Sequence, residues 1–316
     1  MDRFDWKVNI QMNIFILKIL GLWPKGDESY GFNLYTLYGI FVLLFFELAH
    51  IAVATMDVFL NLDDLKTVTG NIFVLLMEML GILKSYSLIR NMGMLKQLMR
   101  TINSDLFQPK TRHQRSLILP NLRAWKTIVA LFWFLTVGWI IFWMMCPIFD
   151  RTFKEYHLPF PFSYPFNTKT SPYYEMTYLH QFIAVDYLSM TNVNIDTLIA
   201  ALNMYIGAQL DILCDDLRNL HKASDANNNL KKCIHHHSEI LKFATFTNRF
   251  YNWVIFVEFF VGAVSIGISM FQLTIVVPLS NEFYSFIVYL VCIATQVFMY
   301  CWFGNEIEIK VKVDMS

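Results

Sequence analysis

Residues 127–149 read TIVALFWFLTVGWIIFWMMCPIF, 23 consecutive positions without a charged side chain. As a helix rising about 1.5 Å per residue, that run is roughly 34 Å long and crosses a hydrocarbon layer about 30 Å thick. Within lipid the backbone must satisfy its own hydrogen bonds, which an α-helix does within one segment. Five further runs of this kind lie near 34–56, 68–89, 177–203, 253–278 and 283–303. The chain is 56% hydrophobic and 16% charged, against roughly 25% charged in soluble domains. The short alternating strands of an outer-membrane barrel are not seen. The sequence therefore predicts one all-α domain over 1–316, a polytopic transmembrane helix bundle with six spans.

The basic residues then orient the bundle. Of 25 Lys and Arg, four lie in the N-terminal arm, eight around the second loop, six in the fourth loop and two in the tail. The odd-numbered loops hold only Lys66, Arg151, Lys154 and Lys169, and Lys84 lies inside a span. Basic residues near span ends stay on the cytoplasmic side, so the N terminus is expected there. The formal net charge is +0, and no basic patch of the kind that binds nucleic acid is present. The membrane is the expected environment.

Between the spans the patterning is informative. Ile10, Ile14, Leu17 and Leu20 recur at helical spacing, which suits an interfacial helix or one packed under the bundle. Helical patterning continues past the fourth span, breaks at Ala226-Asn227-Asn228-Asn229 and resumes at Leu230. Residues 207–250 are thus expected as a cytoplasmic helical extension, amphipathic and suited to partner subunits or to pairing with itself. The outer loop 150–176 carries His157-Leu158-Pro159-Phe160-Pro161-Phe162-Ser163-Tyr164-Pro165-Phe166. Its prolines restrict themselves and their predecessors, giving a stiff extended cover. The five cysteines are divided among both faces and the last span and are expected as thiols.

Candidate chemistry is sparse. His235, His236 and His237 are consecutive, and on a helix they point about 100° apart, so they do not converge on one metal ion. Intramembrane Glu47, His50, Glu78, Lys84 and Asp186 are costly to bury and hint at function. Glu47 and His50 are spaced to satisfy one another. No nucleophile–base constellation, phosphate-binding loop or cofactor motif is present. The sequence supports neither an enzyme nor a cofactor.

Aromatic density in the outer halves of the spans remains. The second span offers Phe73, Met77 and Leu80, and the third offers Trp139, Phe142 and Trp143 on one face. The fourth offers Tyr178, Phe182, Val185 and Ser189, and the sixth Phe286 and Tyr289. These twelve are the candidate ligand-binding residues, although aromatics at such depths also form interfacial belts and core packing.

Taken in order, several motifs resemble the insect odorant receptor family over nearly the whole chain. They are Leu20-Gly21-Leu22-Trp23-Pro24, the Pro-aromatic loop followed by Ser171-Pro172-Tyr173-Tyr174-Glu175, Gln209-Leu210-Asp211-Ile212-Leu213, Ile234-His235-His236-His237, and Cys301-Trp302-Phe303-Gly304-Asn305-Glu306. The resemblance implies a subunit of an odorant-gated cation channel that assembles with a common co-receptor in the dendrite membrane of a sensory neuron. It also implies a small volatile apolar ligand held in the outer halves of the second, third, fourth and sixth helices. The family has a seventh, pore-lining helix, whereas Ile307–Ser316 supplies no run of about 20 apolar residues. A gustatory receptor is the nearest alternative, and a secondary transporter of hydrophobic solutes is an alternative from another class.

Overall fold

The computed structural model describes residues 3–26, 30–149, 151–220 and 225–314. Among them every regular element is helical. A 3₁₀ turn at Trp6–Ile10 leads into α1 (Gln11–Ile19). The others are α2 (Leu34–Leu60), α3 (Leu65–Arg90), α4 (Met92–Ile102), α5 (Arg112–Phe149), α6 (Tyr173–Arg218), α7 (Ala226–Ile275) and α8 (Asn281–Asp314). Six of them are long and apolar enough to cross a membrane. The chain is a multi-pass, all-helical bundle.

Two of the differences from the sequence expectation have a plain local reason. The Asp225 carboxylate accepts the Asn228 backbone N–H at 3.1 Å, an N-cap that starts a helix at once. Ala226–Asn229 therefore form the first turn of α7 instead of a break. At its other end α7 stops at Ile275 and not at 278, with Val276 extended (ψ 145°), because Pro278 lies two residues on and cannot continue a helix. Of the stretch 207–250, the described helical residues belong to the end of α6, up to Arg218, and the start of α7, from Ala226.

The middle of the bundle is α6. Inside its most apolar window 89% of residues are buried, against 22–44% in the other five long helices. It is also the least hydrophobic of the six. The two facts belong together: a helix enclosed by protein can carry Asn, Asp and Thr, whereas a lipid-facing one cannot without large cost. The outer helices show the complementary pattern, with Phe41, Phe45, Phe134, Phe256 and Phe260 exposed on faces directed away from the core.

One end of the bundle, here the base, gathers the N-terminal arm and α4. Trp6, fully buried, and Gln209 both donate to the Phe107 carbonyl, at 3.2 and 3.0 Å, and Tyr205 donates to the Trp6 carbonyl at 2.8 Å. The 3₁₀ turn and helix α1 together pack Ile10, Asn13 and Leu17 inward and leave Val8, Met12, Phe15 and Ile19 exposed. It thus lies under the bundle while showing the outward apolar face an interfacial helix requires. Along α7, Cys233, His236, Ile240, Phe243, Thr247, Phe250 and Val254 are buried at alternating spacings of three and four, the seam by which one helix packs along another.

That seam accounts for the histidine run. His236 is buried, 3.1 Å from Gln209 Oε1 and edge-on to Phe107, while His235 and His237 face outward. Burial, with Lys110 nearby, pushes the His236 imidazole down to about 4, so it is a neutral packing residue at physiological pH. None of the five cysteines is joined in a disulfide.

Candidate ligand cavity

Four helices face one another in the half of the bundle away from the base, and each contributes a helical stripe. Helix α3 supplies Phe73, Val74 and Met77, and α5 supplies Phe132, Thr136 and Trp139. Helix α6 supplies Val185, Leu188, Ser189, Asn192 and Val193, and α8 supplies Tyr289, Cys292, Ile293 and Gln296. Spacings of three, four and seven put each set on one face of its helix. Together with Phe160 they line a predominantly apolar cavity of about 100 Å³.

An aromatic layer roofs this cavity. Phe160 stacks on Trp143 with ring centroids 5.6 Å apart, and Trp143 and Phe73 each meet Phe286 edge-on at 5.7 Å. Beyond that layer lies a larger, more polar vestibule of about 700 Å³, which also has Phe160, Trp143 and Phe286 in its wall. The Pro-rich loop is therefore more than an extended cover: Phe160 and Phe162 are buried within the bundle mouth. Gln181 clamps the Phe160 backbone from both sides, accepting its N–H at 3.2 Å and donating to its carbonyl at 2.8 Å. Asp57 accepts the Ser163 N–H and hydroxyl at 2.8 and 2.7 Å, and Trp143 donates to the Pro159 carbonyl at 3.3 Å. A buried loop must satisfy its backbone in this way.

The floor is charged. Gln296 lines the cavity and its amide donates to Asp196 Oδ2 at 2.5 Å and to Glu258 Oε1. Lys84, fully buried, lies 2.5 Å from Asp196 and 2.7 Å from Glu258. Tyr300 OH is 2.7 Å from Asp196 Oδ1 and 2.9 Å from Glu258 Oε2. Helices α3, α6, α7 and α8 are tied together through this cluster, which touches the cavity through one side chain, Gln296.

Of the twelve residues chosen from sequence, Phe73, Met77, Trp139, Val185, Ser189 and Tyr289 line the cavity. Trp143 and Phe286 belong to its roof. Tyr178 and Phe182 line a separate apolar groove between α5 and α6, with Met144 and Met145. Phe182 is itself exposed. Leu80 is buried outside the cavity lining, and Phe142 is half-buried against Phe149. The reason is depth: the cavity reaches one to two turns nearer the bundle centre than the aromatic positions suggested, so it takes in Phe132, Thr136, Asn192 and Gln296. Continuing the same helical stripes by one turn reaches Thr136 and Asn192, and by two turns Phe132 and Gln296; nothing in the sequence signals the insertion of Phe160.

The intramembrane pair expected from Glu47 and His50 is also corrected. His50 Nδ1 lies 2.5 Å from Glu78 Oε1 on α3, while both Glu47 oxygens are buried without a hydrogen-bond partner. Leu43–Leu48 forms a π turn inside α2, and its wider winding breaks the alignment that a continuous α-helix would give residues three apart.

Residues 64–311 match the family described as 7tm Odorant receptor. Odorant receptor Or1 of Anopheles gambiae is 25% identical over 97% of this chain and 80% of its own length. Odorant receptor 46a, isoform A, of Drosophila melanogaster is 22% identical over 92% of this chain and 77% of its own. Among solved structures, the insect olfactory receptor OR5 from Machilis hrabei superimposes with a TM-score of 0.84 at 18% identity, covering 97% of this chain and 82% of that one. The same receptor in complex with eugenol gives the same figures. At that identity the likeness concerns the fold.

Proposed function

The chain belongs to the 7tm odorant receptor family, and from that premise we propose that its cavity binds small, largely apolar volatile molecules. Occupancy biases the opening of a cation channel that this subunit forms with a co-receptor. The observation that carries the reading is the cavity itself: apolar, roofed by aromatic rings, and lined from four helices. The eugenol complex of the Machilis hrabei receptor supports a small-molecule role for this fold.

Energetics fit such a ligand. Burying roughly 250 Å² of apolar surface at about 25 cal/mol per Å² yields about 6 kcal/mol, from which several kcal/mol of association cost must be subtracted. Micromolar or weaker affinity follows. Gating uses only the difference in affinity between closed and open states, and Gln296 offers a route for it, since it touches both the cavity and the buried charges that join four helices. The base, with the N-terminal arm, faces the cytoplasm in this proposal, supported by the sorting of Lys and Arg among the loops.

Filling the cavity tests the reading. Ser189→Leu should raise the odorant concentration for half-maximal current by tenfold or more while surface abundance stays unchanged. Phe182→Leu, in the outer groove, should leave the dose–response curve in place. The reverse pattern would transfer the ligand to that groove.

A further inference from the structure

Three hydrogen-bonding groups among the described cavity-lining residues have no partner in the protein, and two of them are of fixed and opposite kind. The Trp139 indole N–H, a donor only, is buried and unpaired. On helix α6, Asn192 Oδ1, an acceptor only, is also buried and unpaired. The orientation of that amide is fixed by its other atom: Nδ2 donates to the Leu188 carbonyl at 3.1 Å, and only the nitrogen can donate to a carbonyl. The free atom of Asn192 is therefore the oxygen. The Tyr289 hydroxyl is the third such group; it both donates and accepts, so by itself it favours no one kind of ligand group.

We propose that the receptor is tuned to hydroxylated volatiles, aliphatic alcohols or phenols, whose O–H donates to Asn192 Oδ1 while the same oxygen accepts from Trp139 Nε1–H. This rests on the reading of the cavity as the odorant site. A hydroxyl is the smallest group that meets both requirements. An ether, ketone or ester answers the indole alone and leaves the amide oxygen bare, and a hydrocarbon answers neither. Water can serve both groups while the cavity is empty. A ligand that displaces it without reproducing its hydrogen bonds loses affinity, and a hydroxyl reproduces them. Buried groups left unpaired are what allow a polar site to reject an otherwise fitting apolar molecule.

The test uses purified full-length chain and two sets of matched molecules, binding being read from the ligand-dependent shift in thermal unfolding. The first set is hexan-1-ol, 1-methoxypentane and heptane; the second is 4-ethylphenol, 4-methylanisole and 4-ethyltoluene. Within the set that fits better, the hydroxylated member should reach half-saturation at a concentration lower than its ether by on the order of tenfold, and lower still than the hydrocarbon. Asn192→Leu should erase the advantage of the alcohol over the ether. Trp139→Phe should reduce the advantage of both over the hydrocarbon. Equal binding of all three members, or a ranking unmoved by either substitution, overturns the proposal while the odorant cavity stands. Binding by none of the six molecules overturns the cavity reading itself, and this proposal with it.

Discussion

Replacing Lys84 by Met is expected to unfold the centre of the bundle. Among the described residues, Lys84 is the cation that bridges Asp196 and Glu258, at 2.5 and 2.7 Å, with all three side chains almost wholly buried. Removing it leaves two acids facing one another in a low-dielectric interior, and breaking a buried ion pair in this way costs about 3–5 kcal/mol. The desolvation penalty of the acids remains while the attraction that offset it is gone. Melting of the purified protein should fall steeply and surface abundance should drop with it. The combination Lys84→Met, Asp196→Asn and Glu258→Gln should restore much of the loss, because neutral amides can still bond to Gln296 and Tyr300. Wild-type melting in Lys84→Met alone would show that the cluster does not hold the four helices together.

A comparable loss is expected from Gly21→Val, for a steric reason. Gly21 has φ +78°, and a Cβ there would come 2.6 Å from Gly39 Cα in α2. From the other side, a Cβ on Gly39 would come 2.8 Å from the Gly21 carbonyl oxygen. Both obstacles are backbone, so no side chain can swing aside. The close approach lets Tyr35 donate to the Lys18 carbonyl at 2.9 Å and Tyr38 to the Ile19 carbonyl at 2.7 Å, which fastens the N-terminal arm to α2. A β-branched residue adds backbone strain to the clash, and together these amount to on the order of 3 kcal/mol or more. Gly26→Asn is the control: Gly26 also has positive φ (+60°), but a Cβ there meets nothing within 4 Å, and Asn tolerates that region. It should melt like wild type, whereas Gly21→Val should expose Lys18 and Lys25 to trypsin; equal protection of both variants would contradict the account.

These two sites also mark where the sequence was and was not legible. Leu20-Gly21-Leu22-Trp23-Pro24 stood out as a motif, but its reason, two glycine backbones in contact, appears only when α2 is laid against the arm. The six spans were readable because each must meet the same demand from lipid, about 20 apolar residues. The charges inside them were visible singly, as Lys84 was, yet its partners Asp196 and Glu258 lie 112 and 174 positions away. Pairing over such separations leaves no local pattern. For Glu47 and His50 a local rule pointed to the wrong partner, because the π turn at Leu43–Leu48 is not encoded in the spacing of apolar residues.

The cavity was half legible for a related reason. Helical periodicity gives the face of a helix but not the depth at which faces converge. Trp139, Val185, Ser189 and Tyr289 were on the right faces and at the right level. Tyr178 and Phe182, chosen by the same logic, turn to the groove between α5 and α6. The polar members Asn192 and Gln296 carry no aromatic signature in the sequence, although they give the site its hydrogen-bonding character and its contact with the charged floor.

The most direct test of the central claim is ligand protection of a cysteine placed in the cavity. Ser189→Cys and, separately, Phe182→Cys would be introduced into the full chain, and the rate of thiol modification measured with and without an activating odorant. The account predicts that odorant slows modification at position 189 at least severalfold and leaves position 182 unchanged. Protection at 182 with none at 189 would contradict it and place the ligand in the outer groove.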